Sequence, residues 1–115
     1  MGSVTFEDLR ELVTIQPGAV VSKVVYREGG VDVTVFGFDA GEGLAEHAAA
    51  RAAIVQVLAG DLRFEVEGRE ERLRHGSWVT MSPGTVHSLE AVEPTIMLLT
   101  MLPGGDPSPE AAEPA

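Results

Sequence analysis

The chain has 115 residues, of which 44% are hydrophobic; this is enough for one domain with a buried core and too few for two. That length excludes two-domain dehydrogenases, protein kinases and α/β barrels. The formal net charge of −10 disfavours nucleic acids and anionic membranes as partners, because both are polyanions. The absence of cysteine excludes disulfides, thiol nucleophiles and cysteine-ligated zinc.

The N-terminal sequence indicates no targeting segment. The first seven residues contain no basic side chain and are not followed by a long apolar run, as they would be in a secretory signal. No apolar stretch approaches the roughly 20 residues that a membrane-spanning helix needs. We therefore expect a soluble cytoplasmic protein.

Residues 1–18 predict a short N-terminal helix and a turn. Thr5 is a suitable N-cap, and the predicted helix runs from there to Val13. Apolar residues recur within it at helical spacing, at Phe6, Leu9, Leu12 and Val13. The segment Gln16-Pro17-Gly18 ends it, because proline and glycine interrupt helices.

From residue 20 onward the helical period is lost, and short segments rich in β-branched and aromatic residues follow. Seven of them are predicted strands: Val20–Arg27, Val31–Phe38, Ala53–Leu58, Leu62–Val66, Glu71–Leu73, Trp78–Met81 and Thr95–Leu102. Turns that contain glycine separate most of them, including one at residues 59–61. Strands at this spacing predict an all-β sandwich or barrel.

The composition changes again at the C-terminal end. Residues 103–115 contain four prolines, three acidic residues and no cation, so they offer little to bury. We predict that this tail is disordered. The predicted organisation is an N-terminal helix and turn at 1–18, a barrel at 19–102 and an acidic, proline-rich tail at 103–115.

Three histidines carry most of the chemistry that remains. His47 and His87 each follow a glycine-rich turn and lie beside a strand, 40 residues apart. Residues distant in sequence converge on the inside of a barrel, so these two histidines are candidates for a shared site. The alternative is that each is a hydrogen-bonded core or rim residue. His75, in a turn after a charged strand, is predicted to lie at the surface.

Two sequence motifs around these histidines resemble the cupin family. The segments GLAEH at 43–47 and VQVLAGDL at 55–62 look like the first cupin motif, and GSWVTMSPGTVH at 76–87 looks like the second. The resemblance covers roughly residues 20–102. It implies a double-stranded β-helix, which is the cupin jelly-roll barrel, commonly a homodimer and with a small-molecule site inside the barrel.

The chain departs from the family pattern at the metal ligands. His47 and His87 match two of the family's histidines, whereas Ala49 and Ala53 stand where a histidine and a glutamate are expected. The resemblance therefore implies a degenerate two-histidine site that holds one divalent ion, Zn, Ni, Fe or Mn, only weakly. Gln56 is a candidate third ligand, but strand alternation turns it to the opposite face unless a bulge intervenes.

Three further residues are candidates for ligand binding. Arg51 lies near the predicted barrel mouth and is suited to a ligand carboxylate, although a pair with an acidic loop residue is the alternative. Trp78 and Met81 are large apolar residues on a predicted barrel strand and are candidates for a pocket lining or for the core.

These observations leave three functional hypotheses. The first is a cupin that binds a small molecule inside the barrel, with a degenerate metal site. The second is a metal-dependent cupin enzyme, resembling dioxygenases or isomerases, that uses His47 and His87. The third is a structural dimeric barrel without a ligand.

Overall fold

In the computed structural model, which describes residues 2–104, the chain forms seven β-strands and one turn of 3₁₀-helix. The helix spans Leu9–Leu12. The strands are β1 (Val20–Glu28), β2 (Val31–Phe38), β3 (Gly43–Ala48), β4 (Ala53–Val66), β5 (Arg69–Arg74), β6 (Trp78–Met81) and β7 (Val86–Met101). The tail predicted to be disordered lies outside the described residues from position 105 onward. None of the helical residues within 2–104 forms a helix long and apolar enough to cross a membrane.

The N-terminal helix is shorter than predicted. It begins after Asp8 rather than Thr5, because the Asp8 carboxylate accepts a hydrogen bond from the Arg10 backbone N–H at 3.0 Å and pairs with the Arg10 side chain at 2.8 Å. None of its residues is fully buried, so no packed apolar face stabilises further turns. One 3₁₀ turn remains.

Two long strands, β4 and β7, hold the sheet together. All strand pairs are antiparallel, in the order β1-β2-β7-β4-β5, with β3 added to β7 and β6 added to β4. The first half of β4 pairs with β6 and its second half with β5, while β7 pairs first with β3 and then with β2. Because both long strands pair along their length and change outer partners midway, they belong to both halves of the barrel.

The predicted turn at residues 59–61 is a bend inside β4, so two predicted strands are one. Gly60 has φ +106°, and a Cβ there would come within 2.6 Å of the Thr95 Cα. The fully buried Thr95 hydroxyl accepts a hydrogen bond from the Asp61 N–H at 3.0 Å and donates one to the Glu93 carbonyl at 2.7 Å. The long strands therefore bend together at one corner without ending.

Side chains alternate between the inside of the barrel and its outer face. The inner set forms one apolar cluster that includes Phe38, Val55, Val57, Leu62, Phe64, Met81, Met97, Leu99 and Met101. On the outer face the N-terminal segment crosses β2, and a Cβ placed on Gly37 would meet the Ile15 and Val13 side chains at 3.1 and 3.4 Å. Glycine at this position allows the segment to lie close against the sheet.

Candidate functional site

The structure brings the two candidate histidines side by side. His47 on β3 and His87 on β7 are direct cross-strand partners. Their ring centroids are 4.3 Å apart and the rings are tilted by 55°. The register changes between Leu44 and His47, and this irregularity decides which side chains of β3 lie beside β7.

Backbone carbonyls orient both imidazole rings. The Nδ1 atom of His47 lies 2.8 Å from the Ala45 carbonyl oxygen, and that of His87 lies 3.0 Å from the Thr85 carbonyl oxygen. A carbonyl only accepts hydrogen bonds, so we assign the proton of each neutral ring to Nδ1. In that form each Nε2 carries a lone pair that accepts a hydrogen bond.

The environment of His87 is apolar and favours its neutral form. His87 is 5% exposed, and the Phe64 ring lies 5.9 Å from it, centroid to centroid. Burial lowers the pKa of His87 below its ordinary value, the neighbouring His47 lowers it further, and the hydrogen bond to Thr85 opposes the shift in part. The Nε2 of His47 is closed off from solvent and has no hydrogen-bond partner among residues 2–104.

The donor set does not fit a stably held catalytic metal. Two imidazoles oriented through Nδ1 are suitable metal ligands. The other two motif positions hold Ala49 and Ala53, which are buried and have no donor atom on their side chains. Residues 2–104 contain no group of three histidine, aspartate, glutamate or cysteine residues placed to hold a metal. Open catalytic sites ordinarily use three protein ligands, so this one is incomplete.

Gln56 and Trp78 do not join the histidines, which corrects two of the candidate residues. They are cross-strand partners on β4 and β6, one position out of phase with the inward-facing Val55 and Val57. Gln56 borders a surface groove beside the N-terminal segment, and Trp78 is 59% exposed. The irregularities of β4 come only after Val57, so no bulge returns the Gln56 side chain to the inside.

Met81 lies inside the barrel, as alternation from Trp78 requires. It is 6% exposed and belongs to the apolar cluster that shares the interior with the histidines. His75 is exposed and borders the outer groove, away from the pair.

Arg51 is occupied by contacts within the protein. Its guanidinium pairs with the Asp32 carboxylate at 2.7 Å and donates hydrogen bonds to the carbonyls of Leu102, at 2.9 Å, and of Gly30. Asp32 is also paired with Arg27 at 2.8 Å. Arg51 thus ties the β3–β4 loop to the β1–β2 turn and to the end of β7, and it has little capacity left for a ligand carboxylate.

Sequence reasoning did not single out Phe64 or Asp32. Phe64 faces inward because it keeps the phase of Leu62 and Val66, and only strand pairing places it beside His87. Asp32 alternates with valines on β2, and nothing local indicates that Arg51, 19 positions away, is its partner.

Comparisons with known proteins agree with this architecture. The family model described as the AraC-like ligand binding domain matches residues 30–103, which is more than half of the chain. A search of curated protein sequences finds no match.

Solved structures share the fold. A conserved protein of unknown function from Streptococcus pyogenes has a TM-score of 0.81 at 25% identity, with 92% of this chain and 93% of that chain covered. A cupin 2 conserved barrel domain protein from Leptotrichia buccalis has a TM-score of 0.77 at 30% identity; 82% of this chain is covered, and it spans 46% of that protein.

A cupin superfamily protein from Desulfitobacterium hafniense has a TM-score of 0.82 over 90% of this chain and 95% of that one; at 16% identity it shows the fold alone. These likenesses confirm the predicted all-β cupin jelly-roll barrel. The chain is a small cupin-fold protein that belongs to the AraC-like ligand-binding domain family.

Proposed function

We propose that this cupin domain binds a small molecule inside its barrel, at the His47–His87 pair. The observation that carries the proposal is the buried Nε2 of His47, which has no hydrogen-bond partner within residues 2–104. A buried acceptor left unsatisfied costs about 1–3 kcal/mol, and a bound ligand that donates a hydrogen bond recovers part of that cost. The family to which the chain belongs also supports ligand binding.

The hydrogen bonds of the two rings also support a binding role. Both Nδ1 atoms are engaged by carbonyls of residues only two positions away, so the local backbone orients each ring. Such hydrogen bonds fix the ring orientation and the tautomer before any ligand arrives. Preorganised groups of this kind lose little entropy on binding.

A screen of small fragments tests the proposal. Binding is followed by amide chemical shifts of the ¹⁵N-labelled protein and by thermal stabilisation, in the wild type and in His47→Leu. His75→Leu is the matched control, because it removes an imidazole from the outer surface. We expect some fragments to lose binding in His47→Leu and to keep it in His75→Leu. Fragments that shift only outer-face amides, or that bind both variants equally, would instead favour a structural barrel without a ligand.

We also propose that the pair binds a divalent ion weakly, which is what two donors in place of three or four support. Calorimetric titration with ZnCl₂ and NiCl₂ is expected to give weak binding that disappears in His47→Ala and in His87→Ala. Near-stoichiometric iron, manganese, nickel or zinc in the purified protein would overturn this view and favour the metal-dependent enzyme.

We propose a homodimer as the assembled form. Strand β1 is an edge of the sheet that residues 2–104 form, and it carries three partly exposed apolar side chains. Val20 and Val24, 37% and 47% exposed, lie on one face, and Tyr26, 36% exposed, lies on the other because the register shifts between Val24 and Tyr26. An unpaired edge strand that carries apolar side chains is a ready surface for a second chain. Sedimentation measurements over a range of protein concentrations test this proposal.

A further inference from the structure

The barrel interior offers a ligand very few polar groups. Within residues 2–104 the buried polar or charged residues are His87 and Thr95, and the Thr95 hydroxyl already bonds to Asp61 and Glu93. The histidine pair therefore stands on an inner surface that is otherwise largely apolar. Its largest members are aromatic and methionine side chains: Phe36, Phe38, Phe64, Met81, Met97 and Met101.

Arg51, the candidate partner for a ligand anion, is already engaged by groups of the protein. The Arg51 guanidinium contacts the Asp32 carboxylate and three backbone carbonyls, those of Gly30, Met101 and Leu102. Asp32 in turn is shared between Arg51 and Arg27. A ligand carboxylate or phosphate would have to break these contacts to find a positive partner in Arg51.

We propose, building on the proposed function, that the barrel ligand is a neutral, mostly apolar molecule with one O–H or N–H donor, such as a phenol, which donates to Nε2 of His47. The unpartnered Nε2 supplies the acceptor, and the apolar cluster accommodates the rest of the molecule.

The same chemistry argues against two other classes of ligand. An anion is an acceptor, so it meets the Nε2 lone pair without a proton to share. A sugar brings several hydroxyl groups into a surface with two polar side chains, and most of those hydroxyls would lose their hydrogen bonds to water. A single donor on an apolar body matches the one buried acceptor within residues 2–104 that has no partner, Nε2 of His47.

A ligand reaches His47 only after a side chain moves, because Nε2 is closed off in this conformation. The inner cluster contains three methionines, Met81, Met97 and Met101, whose side chains are suited to such movement. Methionine is unbranched and has several rotatable bonds, so it repacks around ligands of different shape.

The experiment compares four probes on the unaltered protein at neutral pH: p-cresol, toluene, 4-methylbenzoate and D-ribose. Binding is measured by amide shifts of the ¹⁵N-labelled chain. p-Cresol and toluene differ only by the hydroxyl donor. We expect p-cresol to bind about five- to tenfold more tightly than toluene, as one hydrogen bond provides, and the two polar probes not to perturb the barrel interior. In His47→Leu the preference for p-cresol is expected to vanish while toluene still binds, whereas His75→Leu keeps the preference.

Each contrary outcome overturns a defined part of the argument. Equal binding of p-cresol and toluene, or tighter interior binding of 4-methylbenzoate or D-ribose, overturns the ligand class and leaves small-molecule binding in place. No interior binding by any of the four probes overturns the proposed function together with the ligand class. If His47→Leu does not fold, the order of the four probes on the unaltered protein still decides the question.

Discussion

Replacement of Gly60 by alanine tests how the two halves of the barrel are joined. Gly60 lies at the bend of β4 with φ +106°, where side chains other than glycine are strained by about 1–3 kcal/mol. A Cβ there would also come within 2.5 Å of the Pro94 carbonyl oxygen and 2.6 Å of the Thr95 Cα, both backbone atoms of the paired strand. Because these atoms belong to β7, relief requires the two long strands to separate.

The expected loss of stability combines both effects. Forced overpacking in a well-packed region costs about 1–3 kcal/mol, so with the backbone strain Gly60→Ala is expected to lower the free energy of unfolding by about 2–6 kcal/mol. That is a large part of the total for a domain of this size. Urea denaturation followed by far-UV circular dichroism measures this loss of stability. Circular dichroism is preferred to fluorescence because Trp78 is too exposed to be a sensitive reporter of unfolding.

Gly68→Ala is the matched control. Gly68 also has a positive φ, +80°, but a Cβ there meets nothing within 4 Å. It carries the backbone strain without the collision, so a loss of about 1–2 kcal/mol is expected. Equal losses for the two variants, within about 0.5 kcal/mol, would refute the argument that close approach to β7 decides the effect.

Three further predictions concern the barrel end, the histidine pair and the edge strand. Arg51→Ala is expected to lower the free energy of unfolding by about 2 kcal/mol, because two backbone segments lose the donor that they share. Arg69→Ala removes an exposed ion pair and is the control; it is expected to change the free energy of unfolding by less than about 0.5 kcal/mol in the same urea assay. The pKa of His87 in the folded protein lies below its ordinary value of 6.5, so the unfolded chain binds more protons between these two values. The contribution of neutral His87 to the free energy of unfolding is therefore complete above about pH 6.5 and is lost as the pH falls through the folded-state pKa. His87→Gln is expected to reduce the dependence of the free energy of unfolding on pH between about pH 7 and 5, measured by denaturation curves. A pH dependence that is unchanged in His87→Gln but lost in His75→Gln would show that His87 is not its cause. Val24→Glu is expected to shift the sedimentation of the proposed dimer towards the monomer, and an unchanged distribution would place the interface elsewhere.

Local sequence signals predicted the elements that local chemistry controls. Strands β2 and β6 have the predicted bounds, because β-branched and aromatic runs there end at turns that contain glycine or proline. Strand β3 and the first half of β7 were not predicted as strands. Their residues include Glu46, Ala48 and Glu90, which have little intrinsic strand preference, and pairing with each other and with β4 supplies what local propensity does not.

The candidate site divides in the same way. The resemblance to the cupin motifs indicated His47 and His87. Alternation along the strand indicated that Gln56 turns away from them. The closing-off of the His47 Nε2 and the engagement of Arg51 by Asp32 and by carbonyls at the end of β7 depend on atoms far apart in sequence.

The sequence by itself determined that this is one acidic, cysteine-free domain of short strands, with two cupin motifs and two of the family's metal-ligand positions replaced by alanine. Only the tertiary structure decided that β4 and β7 bend together at Gly60, that the two histidines are cross-strand partners, and that Arg51 is a structural tie rather than a free cation. The physical reason is that periodicity and turn chemistry act over a few residues. Register and burial, by contrast, arise only when distant strands pair and exclude water from the space between them.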